Sequence, residues 1–325
     1  MAKVLFVTEK WCDFNPNLSW TNSFHNLFTS FSQYGNGHTF DTLHLDEAVL
    51  SYNTHINNVL GAYCEKHETD IVIFCLINGG DFNPSIECYQ NLKKLGVYLA
   101  IIWPDTGPDW GLKTAKELAP YVDLQVSWDN PRSVGGHWDS IYDKSLRPAN
   151  HIDMWTPEDE SLYFYEPNKT IDVSWVGSVN NYRDRTAFCD IVRQNNLNIF
   201  MSGGQRQAKL TPYEYAKVIR TSKIGINFPL SQTGVFYQAK GRIFEYTACG
   251  GLLFECPNPS TDDFFTADKD YVSFTNYQEL IDKIQHYLEH KQERLDIAEH
   301  GHNTFKNNWT GRHWWDDFFK RIINE

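Results

Sequence analysis

The stretch AKGRIFEYTACGGLLFE, residues 239–255, contains one repeating unit of an α/β fold: a short helix, a Gly-Gly pair and a short apolar strand. Two cations, Lys240 and Arg242, stand at the front of the predicted helix. They are locally unfavourable there by about a few tenths of a kcal/mol each, because a helix N-terminus carries the positive end of the backbone dipole. A bound anion would make the two cations stabilising at this position. Phosphate is the anion that helix N-termini and basic side chains bind together, so the stretch predicts a phosphate site.

Glu245 follows Arg242 by three residues. This spacing places it near enough to contact a ligand attached to the phosphate, for example through ribose hydroxyls. The same spacing also suits an ion pair between Arg242 and Glu245 on a solvated helix face, which stabilises a helix by about 0.2 to 0.5 kcal/mol. The stretch alone leaves both interpretations open.

Working outward from this stretch, short apolar runs alternate with amphipathic segments along most of the chain. Runs that are apolar at every position are typical of parallel strands buried on both faces. The alternation predicts an α/β protein with two doubly wound, Rossmann-like sheets. The runs are residues 3–9, 40–45, 70–78, 97–105 and 124–129 in the first half, and 171–178, 198–204, 223–230 and 251–256 in the second.

Between the two halves, residues 150–170 lose all periodicity and are predicted to form the linker. We expect an N-terminal acceptor domain over residues 1–155 and a C-terminal donor domain over 156–310. A terminal helix over 311–325 is expected to cross back to the first domain. Two facing sheets would leave a cleft at the carboxyl ends of their strands, where open α/β sheets bind ligands.

The composition of the chain indicates which classes of molecule it can bind. The 325 residues include 29 Lys and Arg against 41 Asp and Glu, a net charge of -12. Such an acidic surface disfavours nucleic acid and anionic membranes but not a small anion held in a cleft. The seven cysteines form no CxxC pair, and no apolar run exceeds seven residues. These features predict reduced thiols, no membrane span and a cytoplasmic location.

A second phosphate-type pattern lies in the stretch VSWVGSVNNYRDR, residues 173–185. Gly177 and Ser178 follow a buried strand, and Arg183 lies in the first turn of the next helix. Glycine permits close backbone approach and serine offers a hydroxyl, which suits a diphosphate. An ordinary strand-to-helix turn is the alternative.

Other motifs are absent or weak. The first strand is not followed by G-x-G-x-x-G, and no G-x-x-x-x-G-K-[ST] loop occurs, which argues against dinucleotide dehydrogenases and P-loop hydrolases.

The acidic sequence DKD, Asp268 to Asp270, could bind a metal, but it lies near the end of the second α/β half, and we predict no metal site. Asp105 ends a buried strand and could act as a general base towards an acceptor hydroxyl, or it could cap the following turn.

Three quoted pieces together resemble a known family: IDVSWVGS with Arg183 downstream, SKIGINF, and KGRIFEYTACGGLLFE. Over residues 171–255 they look like the C-terminal domain of glycosyltransferases with the GT-B fold, specifically the group named after the spore maturation protein CgeB. The resemblance implies two Rossmann-like domains around a cleft. It also implies a nucleotide-sugar site in which Gly177, Ser178, Lys240 and Arg242 meet the diphosphate, Glu245 meets the ribose and Asn227 borders the donor.

The activity implied by this resemblance is metal-independent transfer of a sugar from a nucleoside diphosphate donor, with a UDP-sugar the most expected donor, to an acceptor hydroxyl. No separate cofactor is needed. The Gly-rich acceptor loop usual after the first strand is absent, which leaves the acceptor open. Three alternatives remain: a nucleotide-sugar epimerase of the same fold, a transferase acting on modified DNA bases, which the net charge disfavours, and a non-catalytic nucleotide-sugar binding protein.

Overall fold

A computed structural model describes residues 1–17, 21, 24–76, 82–105, 109–134, 147–178, 183–195, 198–202, 210–231 and 234–323. Contacts within the chain divide it into two compact units. The first unit comprises Met1–Asn130 with Trp138–Thr156, and the second comprises Pro131–His137 with Pro157–Glu325.

Each of the nine predicted apolar runs contains a strand, and the described residues form four further short strands that were not predicted. The strands are β1 (Lys3–Thr8), β2 (Thr39–His44), β3 (Ile71–Cys75), β4 (Tyr98–Trp103), β5 (Leu124–Ser127), β6 (Arg132–Ser133), β7 (His151–Asp153), β8 (Ile171–Val176), β9 (Phe200–Ser202), β10 (Ser222–Asn227), β11 (Phe236–Tyr237), β12 (Leu252–Glu255) and β13 (Val272–Ser273). The α-helices are α1 (Ser30–Tyr34), α2 (Leu45–Tyr52), α3 (Leu60–His67), α4 (Ile86–Lys94), α5 (Asp109–Leu118), α6 (Arg183–Gln194), α7 (Pro212–Thr221), α8 (Gly241–Ala248), α9 (Tyr277–Glu289), α10 (Lys291–Asn308) and α11 (Gly311–Ile323).

The first unit is built on a parallel sheet with the strand order β2-β1-β3-β4-β5-β7. Its central strand β3 is buried along its whole length and β4 is buried at every residue after Tyr98, as continuous apolar runs predict. The edge strand β2 is more exposed, because only one side of it pairs with a neighbour. Strand β7 was not predicted. Its three residues lie at the start of the linker, and pairing with β5 rather than local sequence makes them a strand.

The second unit contains a parallel sheet with the order β13-β12-β10-β8-β9, together with a small antiparallel ribbon of β6 and β11. One face of the sheet packs on α6 and α9 through a continuous apolar cluster that includes Trp175, Phe188 and Ile284. Helix α7 begins where the sequence indicates. The Thr211 hydroxyl accepts from the Glu214 amide, and the Glu214 carboxylate accepts from the Thr211 amide. This reciprocal capping box, with Pro212 at the first helical position, satisfies backbone donors at the start of the helix.

Both sheets are doubly wound, which confirms the predicted fold class. In the second unit the strand order reverses between β8 and β10, whose connections run to opposite edges of the sheet. Ligands of open α/β sheets bind in the crevice outside the carboxyl ends of the strands at such a switch point. The ends of β8 and β10 therefore mark where a site in this unit is to be sought.

The terminal helix α11 belongs to the second unit when the chain is divided by its internal contacts. Its apolar face is buried and aromatic, with Trp314 stacked on Phe318 at a ring distance of 5.2 Å. The expectation that residues 311–325 pack on the first unit stays a prediction, as do the domain boundaries at 155 and 310. Among the described residues, no helix has the length and apolar character that a membrane crossing needs.

Candidate functional site

The guanidinium of Arg242 lies at the switch point of the second unit. Its Nε donates a hydrogen bond to Asn227 Oδ1 at 2.9 Å, and its Nη1 donates one to the backbone oxygen of Val176 at 3.1 Å. Val176 ends β8 and Asn227 ends β10. The side chain that the sequence predicts to bind phosphate therefore bridges the two strand ends on either side of the switch point.

Gly177 has a structural role that the sequence analysis did not predict, and its contact with a diphosphate stays a prediction. A Cβ atom added at this position would lie 2.8 Å from Arg242 Nη1 and 3.3 Å from Cζ. The missing side chain thus leaves room for the guanidinium itself, whereas the sequence analysis expected it to leave room for a ligand. The two predicted phosphate patterns, around Gly177 and around Arg242, come together as one site.

Arg242 retains hydrogen-bonding capacity. A guanidinium carries a planar fork of N–H donors, and the contacts to Asn227 and Val176 use only part of it. Within the described residues, Nη2 donates to no other group, and the side chain is only partly buried. The fork is therefore oriented and still able to bind a phosphate oxygen with a charge-assisted hydrogen bond.

Behind Arg242 lies a buried polar chain. Asn227 Nδ2 donates to Glu255 Oε1 at 2.6 Å, and Asn258 Nδ2 donates to the same oxygen at 3.2 Å. Glu255 ends β12 and has no exposed surface. Burial raises the pKa of this carboxyl to about 7, against the opposing effect of the hydrogen bonds that it accepts.

Glu245 does not form the helix-surface ion pair that the sequence allowed. Both side chains are described, and no ion pair within 4.0 Å joins it to Arg242. Instead, Glu245 Oε2 accepts a hydrogen bond of 2.7 Å from the Tyr215 hydroxyl. Burial raises the pKa of Glu245 to about 7, while the bond from Tyr215 and the charge of Arg242 act in the opposite direction. The carboxyl is thus held in place by α7 rather than by its own helix.

A second buried carboxyl, Glu158, was missed by the sequence analysis because it lies in the stretch interpreted as a linker. It is 1% exposed, and neither of its carboxyl oxygens accepts a hydrogen bond from a described residue. A Cβ added to Gly241 would lie 3.6 Å from Glu245 Oε1 and 3.8 Å from Glu158 Oε1, so both carboxyls border the start of α8. Burial raises the pKa of Glu158 well above its ordinary value, and the nearby charges of Glu245 and Asp159 raise it further.

Replacing Glu158 with glutamine is expected to stabilise the protein at alkaline pH. A carboxyl whose pKa is higher in the folded state than in the unfolded state lowers stability progressively as pH rises above its unfolded value of about 4.5. Thermal unfolding should show a melting temperature that is higher for Glu158→Gln than for the wild type at pH 8, with a smaller difference at pH 5. Glu299→Gln on the exposed face of α10 is the control and should show no such trend. An equal difference at both pH values would contradict the burial argument.

The remaining predicted site residues contact other groups, or their side chains lie outside the described part of the structure. The Lys240 amine donates to Gln238 Oε1, and Lys240 takes the N-cap position of α8. The backbone oxygen of Ser178 accepts a hydrogen bond of 2.8 Å from Arg185 Nη1. Arg183 is the first residue of α6, but its side chain lies outside the described part of the structure.

Asp105 follows β4 in the first unit and is exposed. Its position beyond the carboxyl end of a parallel strand agrees with the edge at which the sequence analysis placed it. Its role as general base stays a prediction.

A cavity of about 360 Å³ lies beyond the carboxyl ends of β10 and β12. It is lined by aromatic side chains, Phe228, Phe274 and Tyr277 among them, and by Asn276 at the start of α9. Apolar walls with a few polar groups are typical of pockets that hold small organic ligands. Phe228 directly follows Asn227, so the cavity and the Arg242 guanidinium lie at the same edge of the sheet.

Both aspartates of the acidic DKD sequence form hydrogen bonds within the fold. Asp270 accepts hydrogen bonds from the Thr266 amide at 2.7 Å and the Thr304 hydroxyl at 2.7 Å, and it pairs with His300 at 2.6 Å. Asp268 accepts from the Ser273 amide at 3.1 Å. In the described part of the chain, no group of three or more His, Cys, Asp and Glu side chains is arranged to hold a metal ion.

Residues 167–320 match the model of a family described as glycosyl transferase-like. The matched segment lies wholly within the second unit and contains β8, β10 and α8, which carry Val176, Asn227 and Arg242. The second unit is therefore similar to this family over the segment that carries the three residues. No curated protein matches the chain at a significant level.

Solved structures of glycosyltransferases share the fold over the whole chain. The Anabaena protein HepE in complex with UDP and glucose superimposes with a TM-score of 0.65 at 11% identity, covering 100% of both chains. A sucrose-phosphate synthase from Thermosynechococcus elongatus gives 0.62 at 8% identity, also covering 100% of both. A glycosyltransferase from Rickettsia africae gives 0.61 at 10% identity, covering 100% of this chain and 99% of its own. At such identities the likeness establishes the GT-B fold of two Rossmann-like domains.

Proposed function

We propose that the protein is a glycosyltransferase that moves a sugar from a nucleoside diphosphate donor to an acceptor hydroxyl. The observation that carries this proposal is the Arg242 guanidinium, held by Asn227 and Val176 at the switch point of the second unit with donors left over. The family match over residues 167–320 and the shared fold support it. We further propose a UDP-sugar as the donor, since HepE was solved with UDP and with UDP-glucose.

In the proposed reaction the bond between the sugar and the diphosphate breaks, and negative charge grows on the departing diphosphate. Preorganised donors aimed at such charge are commonly the largest single contribution to catalysis. Arg242 and the positive end of the α8 dipole supply that positive potential. Because a guanidinium can neutralise the leaving group, we propose that transfer needs no metal ion.

The other predicted residues complete the proposal. The Ser178 hydroxyl and the Lys240 amine would contact the diphosphate, and Arg183 would lie beside it. Glu245, held by Tyr215, would accept hydrogen bonds from ribose hydroxyls. Asp105 would accept the proton of the acceptor hydroxyl as general base.

Two finer assignments belong to the same proposal. The residues quoted from 171–255 favour the CgeB-like group within the GT-B glycosyltransferases. All seven cysteines are free thiols, which favours the reducing cytoplasm as the location.

Nucleotide binding and turnover test the proposal directly. We expect a nucleoside diphosphate, UDP foremost, to raise the melting temperature, because a ligand at a hundred times its Kd stabilises by about 2.7 kcal/mol. UDP release from UDP-sugars should increase when acceptor hydroxyl compounds are added, and it should persist in the presence of a chelator. Absence of any shift with every nucleoside diphosphate would overturn the proposal, and conversion of the donor sugar without an acceptor would assign an epimerase instead.

A further inference from the structure

We infer that Glu255 is a positioning residue for the donor diphosphate, acting through Asn227 on the Arg242 guanidinium. The inference rests on the proposed function, because it takes Arg242 as the group that binds the diphosphate. Glu255 ends β12, one strand away from Asn227 and two strands away from Val176 in the sheet.

The argument begins with the donors and acceptors of the chain. Glu255 Oε1 accepts from Asn227 Nδ2 at 2.6 Å, and Asn227 Oδ1 accepts from Arg242 Nε at 2.9 Å. Glu255 Oε1 also accepts from Asn258 Nδ2, so this oxygen acts as an acceptor whether the carboxyl is ionised or carries a proton on Oε2, and a guanidinium only donates. The amide between them must turn its NH₂ towards Glu255 and its oxygen towards Arg242, so the carboxylate fixes the orientation of the amide.

Without the Glu255 carboxylate, only the bond from Arg242 Nε holds this orientation. The Asn227 amide could then rotate and present its NH₂ to the guanidinium, and two donors facing each other repel. Arg242 would keep only its contact with the Val176 oxygen, about which the fork can turn. A ligand would then have to order the side chain as it binds, and that ordering lowers affinity.

The position of Glu255 in the fold supports a role beyond packing. The preceding residues of β12, Leu252 to Phe254, are apolar and fully buried, and an apolar residue would continue the strand at no electrostatic cost. A buried carboxyl costs folding free energy unless it is well paired, and such groups concentrate at functional sites. Here Glu255 accepts hydrogen bonds from Asn227 and Asn258, with Thr261 also in contact, and the bond from Asn227 leads directly to Arg242.

The test compares UDP affinity among three Glu255 variants by titration calorimetry. Glu255→Ala is expected to weaken UDP binding about tenfold, in line with the loss of one buried hydrogen-bonded connection. Glu255→Gln keeps an oxygen that accepts from Asn227 and is expected to stay within about threefold of the wild type. Should Glu255→Ala fail to fold, Glu255→Asp withdraws the carboxylate and is expected to weaken binding in the same direction.

A double-mutant cycle separates positioning from general destabilisation. If Glu255 acts through the amide, adding Glu255→Ala to Asn227→Ala should change UDP affinity by less than about twofold, because the connection is already broken. Asp270→Ala is the matched control, since it removes another buried, hydrogen-bonded carboxylate of the second unit. It should lower the melting temperature and leave UDP affinity unchanged. Additive losses in the cycle would overturn the inference.

A measurement without ligand keeps this inference distinct from the proposed function. The NMR signal of the Arg242 Nε–H, assigned by its disappearance in Arg242→Ala, should exchange slowly with water in the wild type and in Glu255→Gln. It should exchange rapidly in Glu255→Ala. Slow exchange in the Ala variant would refute the positioning role even if UDP binds. Failure of the wild type to bind UDP, with the exchange pattern as expected, would refute only the proposed function.

Discussion

Replacing Arg242 with alanine is expected to weaken UDP binding about a hundredfold and to lower kcat/KM by more than that. A hundredfold corresponds to about 2.7 kcal/mol, which is the size of one or two charge-assisted hydrogen bonds to phosphate. The further loss in kcat/KM follows because the guanidinium faces charge that grows on the diphosphate as the bond to the sugar breaks. Titration calorimetry and steady-state rates of UDP release measure the two effects.

The matched control for this change is Arg321→Ala. Arg321 carries the same charge, is exposed near the end of α11 and pairs with Asp317 at 3.0 Å on its own helix. Its loss alters the net charge identically and should leave both UDP affinity and kcat/KM near wild-type values. Equal affinities for the wild type and Arg242→Ala would show that the diphosphate binds elsewhere. Arg242→Lys should recover only part of the affinity, because an ammonium cannot reproduce the planar fork that bridges Asn227 and Val176.

Replacing Gly225 with alanine is expected to destabilise the protein by about 3 kcal/mol, at the upper end of the usual cost of overpacking. Gly225 lies in the middle of β10, and a Cβ added there would come within 2.2 Å of Cε1 in the Tyr246 ring. The ring has no exposed surface, and its hydroxyl is hydrogen-bonded to Ser174 Oγ at 2.9 Å. Neither the strand nor the ring can move away cheaply, because both are held by their neighbours.

Thermal unfolding of Gly225→Ala measures this effect. Gly61→Ala in α3 is the contrasting substitution, because a Cβ at Gly61 meets nothing within 4 Å. Alanine in a helix is more favourable than glycine by up to about 1 kcal/mol, so Gly61→Ala should leave the melting temperature unchanged or raise it. A melting temperature for Gly225→Ala within a degree of the wild-type value would mean that β10 and α8 do not pack as closely as described.

Local pattern explains why the sheets could be predicted. The central strands β3 and β4 are apolar along their length, and such runs indicate burial on both faces wherever they lie in a fold. The start of α7 could also be predicted, because the Thr211 cap, Pro212 and Glu214 act within a single turn. Strand β7 escaped prediction because its pairing with β5, and not its own three residues, defines it.

The contacts between side chains of the site could not be predicted, for a related reason. The family resemblance placed Gly177, Asn227 and Arg242 in one donor site, but it did not predict that the space at Gly177 holds the guanidinium. Glu158 carried no pattern at all, since a carboxylate in an aperiodic stretch looks like any solvated residue. Its burial beside Glu245 depends on how the chain folds back onto the start of α8.

What the sequence determined by itself is the α/β class, the order of strands and helices, and the set of cations and glycines that follow the strands. These properties depend on residues within about one helical turn or one strand of each other. The tertiary structure alone decided that Arg242 reaches Val176, 66 positions away, and that Asn227 meets Glu255, 28 positions away. Hydrogen bonds over such separations depend on strand order and register, and no local periodicity encodes which strand ends become neighbours.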